Sequence, residues 1–323
     1  MKRRSLISIM FLVLAVVLTF GACEKDGSGP KGSGDLTAED KELFKFLPSG
    51  STAVFGGNYM KLQEFMTSTL GKSTQAAMEK LGPGMTEWTK CFTELKSLRL
   101  AGAANVAGKG LELRMIFTGM KVDDVAKCAA RANYKTTIDA DNKFITIELP
   151  PPAGQQGYLV AGNGALYMRQ SMVISVAPVI TPTSRADLEA DLKAASASNA
   201  LGDAKMQALI SKADRTKTIW FAGTGTGTLV SDKLGELFGS FDLSSGFSAD
   251  VTFQLTDAAL VDKLEDGVKE IKKMSDQLPG NMKDAVDSLK FSRKGDHVHF
   301  ALKLDDKQLA DLMQQASMFG AMH

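Results

Sequence analysis

Three cysteines, three histidines and one glycine–threonine run are the residues of this 323-residue chain whose types and spacing could do chemistry. His297 and His299 are two apart, so on a strand both lie on one face, a spacing that can hold a metal, although metal sites usually need three or four ligands. The alternation of Val298, Phe300, Leu302 and Leu304 turns the apolar residues inward and the histidines outward with Lys303, which reads as surface histidines. His323 ends the sequence. Gly223 to Thr228 reads GTGTGT between a strand pattern and an expected helix. A dinucleotide fingerprint needs a third glycine where Thr228 stands, and a P-loop needs a lysine that is missing, so the run reads as a strand-to-helix turn. The familiar hydrolase templates, G-x-S-x-G and H-E-x-x-H, are absent from the sequence. Asp123, Asp124, Asp305 and Asp306 read as first-turn helix charges. The sequence thus calls for no catalytic set, cofactor or metal.

The third cysteine, Cys23, has a different setting. Lys2, Arg3 and Arg4 precede an apolar run from Leu6 to Phe20, and Gly21 and Ala22 lead directly to the cysteine. This is the layout of an export signal with a lipidation site, and it resembles the bacterial lipobox, with Phe20 where that pattern usually has Leu. Fifteen apolar residues are too few to stay as a membrane helix, which takes about twenty. Residues 1–22 are therefore expected to be a signal peptide, and Cys23 the lipidated anchor. Residues 23–36 include EKDGSGPKGSG, a linker with a coil span of about 20 Å. Glu24 follows the cysteine, without the Asp that marks inner-membrane retention, so the outer membrane is favoured. Export would place Cys91 and Cys128, 37 positions apart, in an oxidising compartment as an even pair. A disulfide is expected, the competing reading being two small buried hydrophobes on separate helices.

Losing the three basic residues with the first 22, which hold no acid, takes the formal charge from +1 to −2. So nearly neutral a chain lacks the field that attracts phosphate backbones, and nucleic acid is excluded as a partner. With 44% hydrophobic and 23% charged residues, the rest can bury a sizeable core.

The elements that must position these residues follow from periodicity. Val251, Phe253 and Leu255 alternate as a strand; Leu260, Leu264, Val268 and Ile271 recur as a helix behind Asp257; Leu289–Ser292 and Val298–Leu304 flank a turn at Arg293 to Asp296. A last helix carries Leu309, Leu312, Met313 and Ala316. The same order occurs earlier, with strand patterns at Leu98–Leu100 and Leu111–Phe117, a helix near Lys121 and a hairpin around Asp139 to Asn142. Strands at Thr52–Phe55 and Thr218–Ala222 precede the two units, each expected to run through a glycine turn into a helix. The reading is two diverged β-α-β-β-α-β-β copies in an α+β fold, with mainly antiparallel sheets and helices on one face. The expected division is 37–150 for the first copy, 151–213 for a connector of short strands and helices, and 214–323 for the second. The sixteen methionines, with Met313, Met318 and Met322 in the last segment, suit core gaps, and also a groove for varied apolar ligands.

Phe46-Leu47-Pro48, then Thr52 to Gly57 and a helix near Met60-Lys61-Leu62, resemble the opening of a group of uncharacterised predicted lipoproteins frequent in myxobacteria. The placing of Cys91 before a strand pair and Cys128 in the next helix, and Ile219 to Ala222 opening the second half, look similar as well. The resemblance implies a location and a fold but no activity. The expected function is that of a lipid-anchored envelope protein with a binding or structural role and no catalysis, the alternatives being a periplasmic carrier or sensor of hydrophobic ligands and an enzyme of unknown class. Its partners are the membrane through Cys23, and an envelope protein or a hydrophobic ligand that it carries or senses.

Overall fold

The computed structural model describes residues 34–67, 71, 83–95, 99–107, 110–119, 121–138, 140, 144–148, 156–162, 165–173, 179–181, 184–224, 233–244, 246–277 and 280–309. Its strands are β1 (Ala53–Gly57), β2 (Arg99–Ala107), β3 (Gly110–Thr118), β4 (Lys135–Ile138), β5 (Phe144–Glu148), β6 (Gln156–Gly162), β7 (Ala165–Val173), β8 (Val179–Thr181), β9 (Ile219–Gly223), β10 (Leu234–Asp242), β11 (Phe247–Leu255), β12 (Lys290–Lys294) and β13 (His297–Leu304). Its helices are α1 (Ala38–Phe44), α2 (Tyr59–Thr67), α3 (Pro83–Thr93), α4 (Val122–Arg131), α5 (Arg185–Ala197), α6 (Ala204–Lys212), α7 (Ala258–Lys273) and α8 (Gly280–Ser288). All thirteen strands join one sheet in the order β12-β13-β11-β10-β9-β1-β2-β3-β7-β6-β5-β4, with β8 beside β7. Every pairing is antiparallel.

The two halves share this sheet through β1 and β9, paired with Phe55 opposite Phe221. On each side of that pair some steps of the chain are alike. A hairpin runs outward (β2-β3, β10-β11), a helix follows (α4, α7), and a second hairpin lies farther out (β4-β5, β12-β13). The halves also differ: β13 lies directly on β11, whereas the β6-β7 hairpin stands between β3 and β5, and α8 intervenes between α7 and β12, whereas α4 runs directly to β4. Residues expected to form a connector thus build the interior of the sheet.

Side chains alternate across a strand, so β9 presents Trp220 and Ala222 to one face and Ile219 and Phe221 to the other. The Trp220 face carries a core in which Val54, Ala103, Ile116 and Phe238 meet Leu43 and Phe44 of α1, Leu188 of α5 and Met206, Leu209 and Ile210 of α6. Phe44 meets Trp220 edge to face at 5.4 Å. The Phe221 face carries a second cluster, in which Val298, Phe300, Leu302 and Leu304 of β13 pack against Val261 and Val268 of α7, Ala285 of α8, Phe65 of α2 and Leu309. The expectation of helices on one face is therefore corrected. The central strands are apolar on both faces, and each face requires cover.

Local signals explain several boundaries. Thr37 and Asp40 form a capping box for α1, and Ser184 and Asp187 one for α5. The turn between β12 and β13 has Gly295 at φ +66°. Gly56 and Gly57 lie inside β1 and not in the expected turn; a Cβ on Gly56 would stand 2.4 Å from the Trp220 ring. Arg215, nearly buried, donates to the carbonyls of Gly34 (3.1 Å), Asp35 (2.7 Å) and Ile210 (3.1 Å), and so pins the start of the body to the end of α6.

The helix expected after Thr228 is also corrected. Residues 225–232 lie outside the described residues, and Leu234–Asp242 beyond them is strand β10. Of the expected last helix, residues 306–309 are described.

Candidate binding surface

On the Phe221 face of the central strands, Phe55, Met115, Phe117, Phe221, Leu237 and Phe241 form an apolar floor of half-buried side chains. It runs from β3 through β2, β1 and β9 to β10, four strand spacings or about 19 Å. Two glycines shape it. A Cβ on Gly102 would stand 2.2 Å from the Phe55 ring, and one on Gly239 would stand 3.0 Å from the Phe221 ring. Each ring thus lies down over a glycine of the neighbouring strand, and the floor is flat where branched side chains would ridge it. Phe221 and Phe241 stand 5.2 Å apart, and Phe247 stacks on Phe241 at 6.3 Å. Such a surface suits apolar matter of loosely defined shape, because it offers area and few directional groups.

The Trp220 face of the same strands holds a charged cluster instead. Arg114 donates to Glu112 (2.6 Å) and Asp191 (3.2 Å), while Arg169 reaches Glu112 (2.5 Å) and Asp191 (3.3 Å). The Tyr167 hydroxyl donates to Asp191 at 3.4 Å. Two arginines against two acids leave no net charge, and Asp191 ties α5 to the strands beneath. Burial pushes the Asp191 carboxyl up, opposed by Arg114 and Arg169, and burial with the Asp191 charge pushes the Tyr167 hydroxyl up. We read the cluster as structural. Asp191→Ala, which leaves Glu112 alone to pair with two partly buried guanidinium groups, is expected to cost about 2 kcal/mol, measured as a lower urea midpoint; loss below about 0.5 kcal/mol would show the cluster to be solvated.

The histidines lie on this second face, each held by a carboxylate. His297 Nδ1 is 2.8 Å from Asp296 and His299 Nε2 is 2.9 Å from Asp250, with Ser292 Oγ 3.5 Å from the other His299 nitrogen. This serine, histidine and aspartate come from three neighbouring strands, and no local spacing in the sequence announces them. The order is that of a nucleophile, base and orienter, but the serine contact is at the limit of a hydrogen bond and Ser292 stands exposed on an edge strand. β13 directs its backbone N–H groups to β11 and β12, so beside His299 they are engaged in the sheet and do not face a developing oxyanion. Among the described residues no group of three or more His, Cys, Asp or Glu side chains could hold a metal ion.

Gly223 belongs to β9, where the carbonyl of Thr52 would stand 3.1 Å from an added Cβ, and the Thr224 N–H donates to that carbonyl at 2.9 Å. Close pairing with β1 accounts for this glycine. Positions 225–228, His323, Met313, Met318 and Met322 lie outside the described residues. Asp124 accepts from the Lys121 N–H and Asp305 from the Gln308 N–H, so both cap helix starts. Cys91 on α3 and Cys128 on α4 lie with their sulfurs at 2.04 Å, bonded in the buried seam between the two helices.

Asp242 is the most perturbed carboxylate. Burial alone would raise it, but hydrogen bonds from Lys61 (2.8 Å) and from the Ser244 hydroxyl and N–H (2.8 and 3.2 Å) outweigh that and hold it well below the usual range. A lowered folded value means that its stabilisation is present above the unfolded value, about 3.9, and is lost as pH falls through the folded one. Asp242→Asn is therefore expected to lower stability at neutral pH and to flatten the acid side of the stability profile. A variant with an unchanged acid limb would contradict this.

Comparison with known proteins gives a spare result. No family model matches the chain, and no curated protein matches it. Among solved structures it is similar to crystal forms I and III of TP0453, each at 10% sequence identity with a TM-score of 0.46, covering 84% of this chain and 97% and 98% of those chains. Crystal form IV of the same protein gives a TM-score of 0.42 at 10% identity, covering 84% and 96%. Among the described residues no helix is long and apolar enough to cross a membrane. Cys23 lies outside the described residues.

Proposed function

We propose that this chain is a lipid-anchored cell-envelope protein, the outer membrane being favoured, that acts by non-catalytic binding, and that its ligand is hydrophobic. The observation that carries this reading is the half-buried aromatic floor across the centre of the sheet. Side chains of that size are ordinarily placed fully inside; these, drawn from four strands, are neither fully buried nor exposed, and partly buried apolar area of that extent suits a ligand surface. The sheet beneath it is held by the packed core on its other face, so the floor is rigid and pre-formed. Tethering through Cys23 would keep it within reach of a bilayer, the source of apolar ligands in an envelope.

The same reading includes an internal duplication. Besides the matching steps of the chain, Phe55 lies over Gly102 as Phe221 lies over Gly239. Phe117 and Phe253 each precede their helix by five residues, and the fourth residues of α4 and α7, Val125 and Val261, are both fully buried. Two equivalent half-sites would then meet at the β1–β9 pair.

The test is ligand capture by the soluble variant Cys23→Ser. Native mass spectrometry of protein purified from its envelope should show copurified lipid, and titration with a fluorescent fatty acid should show saturable uptake. Phe221→Ser, at a half-buried position, should weaken that uptake about tenfold, or about 1.4 kcal/mol. A protein that is empty and takes up no fatty acid would remove the hydrophobic-ligand reading.

A further inference from the structure

We propose that the aromatic floor takes two acyl chains, one in each half, and that its ligand is a single two-chain lipid whose headgroup stays in water. This rests on the reading of the floor as a hydrophobic binding surface and on the internal duplication.

The strand registers place the two halves on each other residue by residue. Phe55 and Phe221 face each other across the β1–β9 pair, and Gly57 and Gly223 each lie two residues farther along. Gly102 and Leu100 pair with Phe55 and Gly57 just as Gly239 and Leu237 pair with Phe221 and Gly223. One strand farther out, Met115 and Phe117 answer to Val251 and Phe253. Five of these six equivalent positions hold the same residue in both halves, Phe, Gly, Gly, Leu and Phe, with Met115 against Val251 the exception.

The opposite face of the same strands behaves in the reverse way. There Val54 answers to Trp220 and Gly56 to Ala222. Beside them Ala101 answers to Phe238, Ala103 to Ser240 and Ile116 to Thr252, so that all five pairs differ. Every one of these residues is buried, whereas the phenylalanines and leucines of the floor are half-buried. Packing constrains a buried position more tightly than a half-buried one, so packing alone would keep the buried face alike, the reverse of what is found. The repeat on the floor is explained by what its residues meet, the same apolar partner twice.

The chemistry of that partner follows from the surface. From Leu113, Met115 and Phe117 of β3 to Leu237, Gly239 and Phe241 of β10, the registers place only apolar side chains and glycine on this face. A headgroup laid on it would lose water and gain no hydrogen bond, so the contact is hydrocarbon. Two separate fatty acids would bring two carboxylates to this surface; a two-chain lipid brings one headgroup. The halves adjoin at Phe55 and Phe221, one strand spacing or about 4.8 Å apart, close enough for two chains that share a headgroup.

The experiment uses the full chain with Cys23→Ser, titrated with oleic acid and, separately, with vesicles of dioleoylphosphatidylcholine, and read by native mass spectrometry. Two oleic acids or one phosphatidylcholine should saturate the protein, each ligand excluding the other. Phe55→Ser and Phe221→Ser should each weaken one of the two oleic acid sites about tenfold and leave the other unchanged, and each should weaken phosphatidylcholine about tenfold. Phe55→Leu and Phe221→Leu, which keep apolar cover, should retain both sites. Saturation by one oleic acid would overturn the two-chain proposal and leave the hydrophobic-ligand reading standing. Two oleic acids without phosphatidylcholine would overturn the single-lipid ligand. Uptake of neither would remove the hydrophobic-ligand reading itself. The count on the unsubstituted floor decides among these outcomes even where a serine variant fails to fold.

Discussion

Changing Cys23 to serine is expected to move nearly all of the protein from the membrane pellet into the soluble periplasmic extract. Each buried acyl methylene contributes about 0.8 kcal/mol, so a chain of about fourteen methylenes contributes about 11 kcal/mol, and a second chain makes attachment effectively permanent. Among the described residues nothing offers a substitute of that size. Without residues 1–22, whose removal is proposed, the formal charge is −2, which gives no attraction to an anionic surface, and among the described residues no helix could span the bilayer. Arg215 grips the carbonyls of Gly34 and Asp35, so release at Cys23 should leave the body folded. Fractionation followed by blotting, with palmitate labelling of the parent and variant, checks the expectation. Processing that is indifferent to globomycin, or a serine variant that stays in the pellet, would remove the anchor.

Removing the Cys91–Cys128 bond is expected to produce the largest loss of stability within the body. The bond closes a ring of 37 positions. Chain-entropy reasoning puts its contribution at about 4 kcal/mol, an upper figure because strain in the native state subtracts from it. Both sulfurs are buried between α3 and α4, and α4 is the crossover that delivers the outer hairpin β4-β5. The ion pairs beside the bond, Arg131 with Glu94 and Glu87, face solvent and cannot compensate. Cys91→Ala/Cys128→Ala should lower the urea midpoint, and reductant should bring the parent to the same value while leaving the variant unchanged. Two freely alkylated thiols in the native oxidised protein would end the argument.

The short-range features were legible because their causes are local. The β12–β13 hairpin announces itself through two alternating runs and Gly295, α5 through the Ser184–Asp187 cap, and α7 through Asp257 and its apolar stripe. Strand β10 was not legible as a strand. Leu234, Leu237, Phe238 and Phe241 recur at helical spacing, yet a bulge between Leu234 and Leu237 and burial on both faces make that period the product of a strand. α1 was missed although its capping box, Thr37 and Asp40, was there to be read. The floor was legible only as residue types: alternation announces Phe55 and Phe221 as strand residues without saying that they meet. The serine–histidine–aspartate contact and the Arg114–Arg169–Glu112–Asp191 cluster join residues with no shared local pattern, and no spacing rule could have found them.

By itself, then, the sequence determined the local elements: where strands alternate, where helices are capped, and which turns carry glycine. Only the tertiary structure decided that one sheet joins both halves, that β6 and β7 enter it between β3 and β5, and that Phe55 and Phe221 face each other across its centre. The reason is physical. Caps, turns and periodicity act over a few residues, whereas strand order and the choice of face depend on which distant apolar surfaces cover one another, and a segment apolar on both sides carries no mark of which neighbour each side will meet.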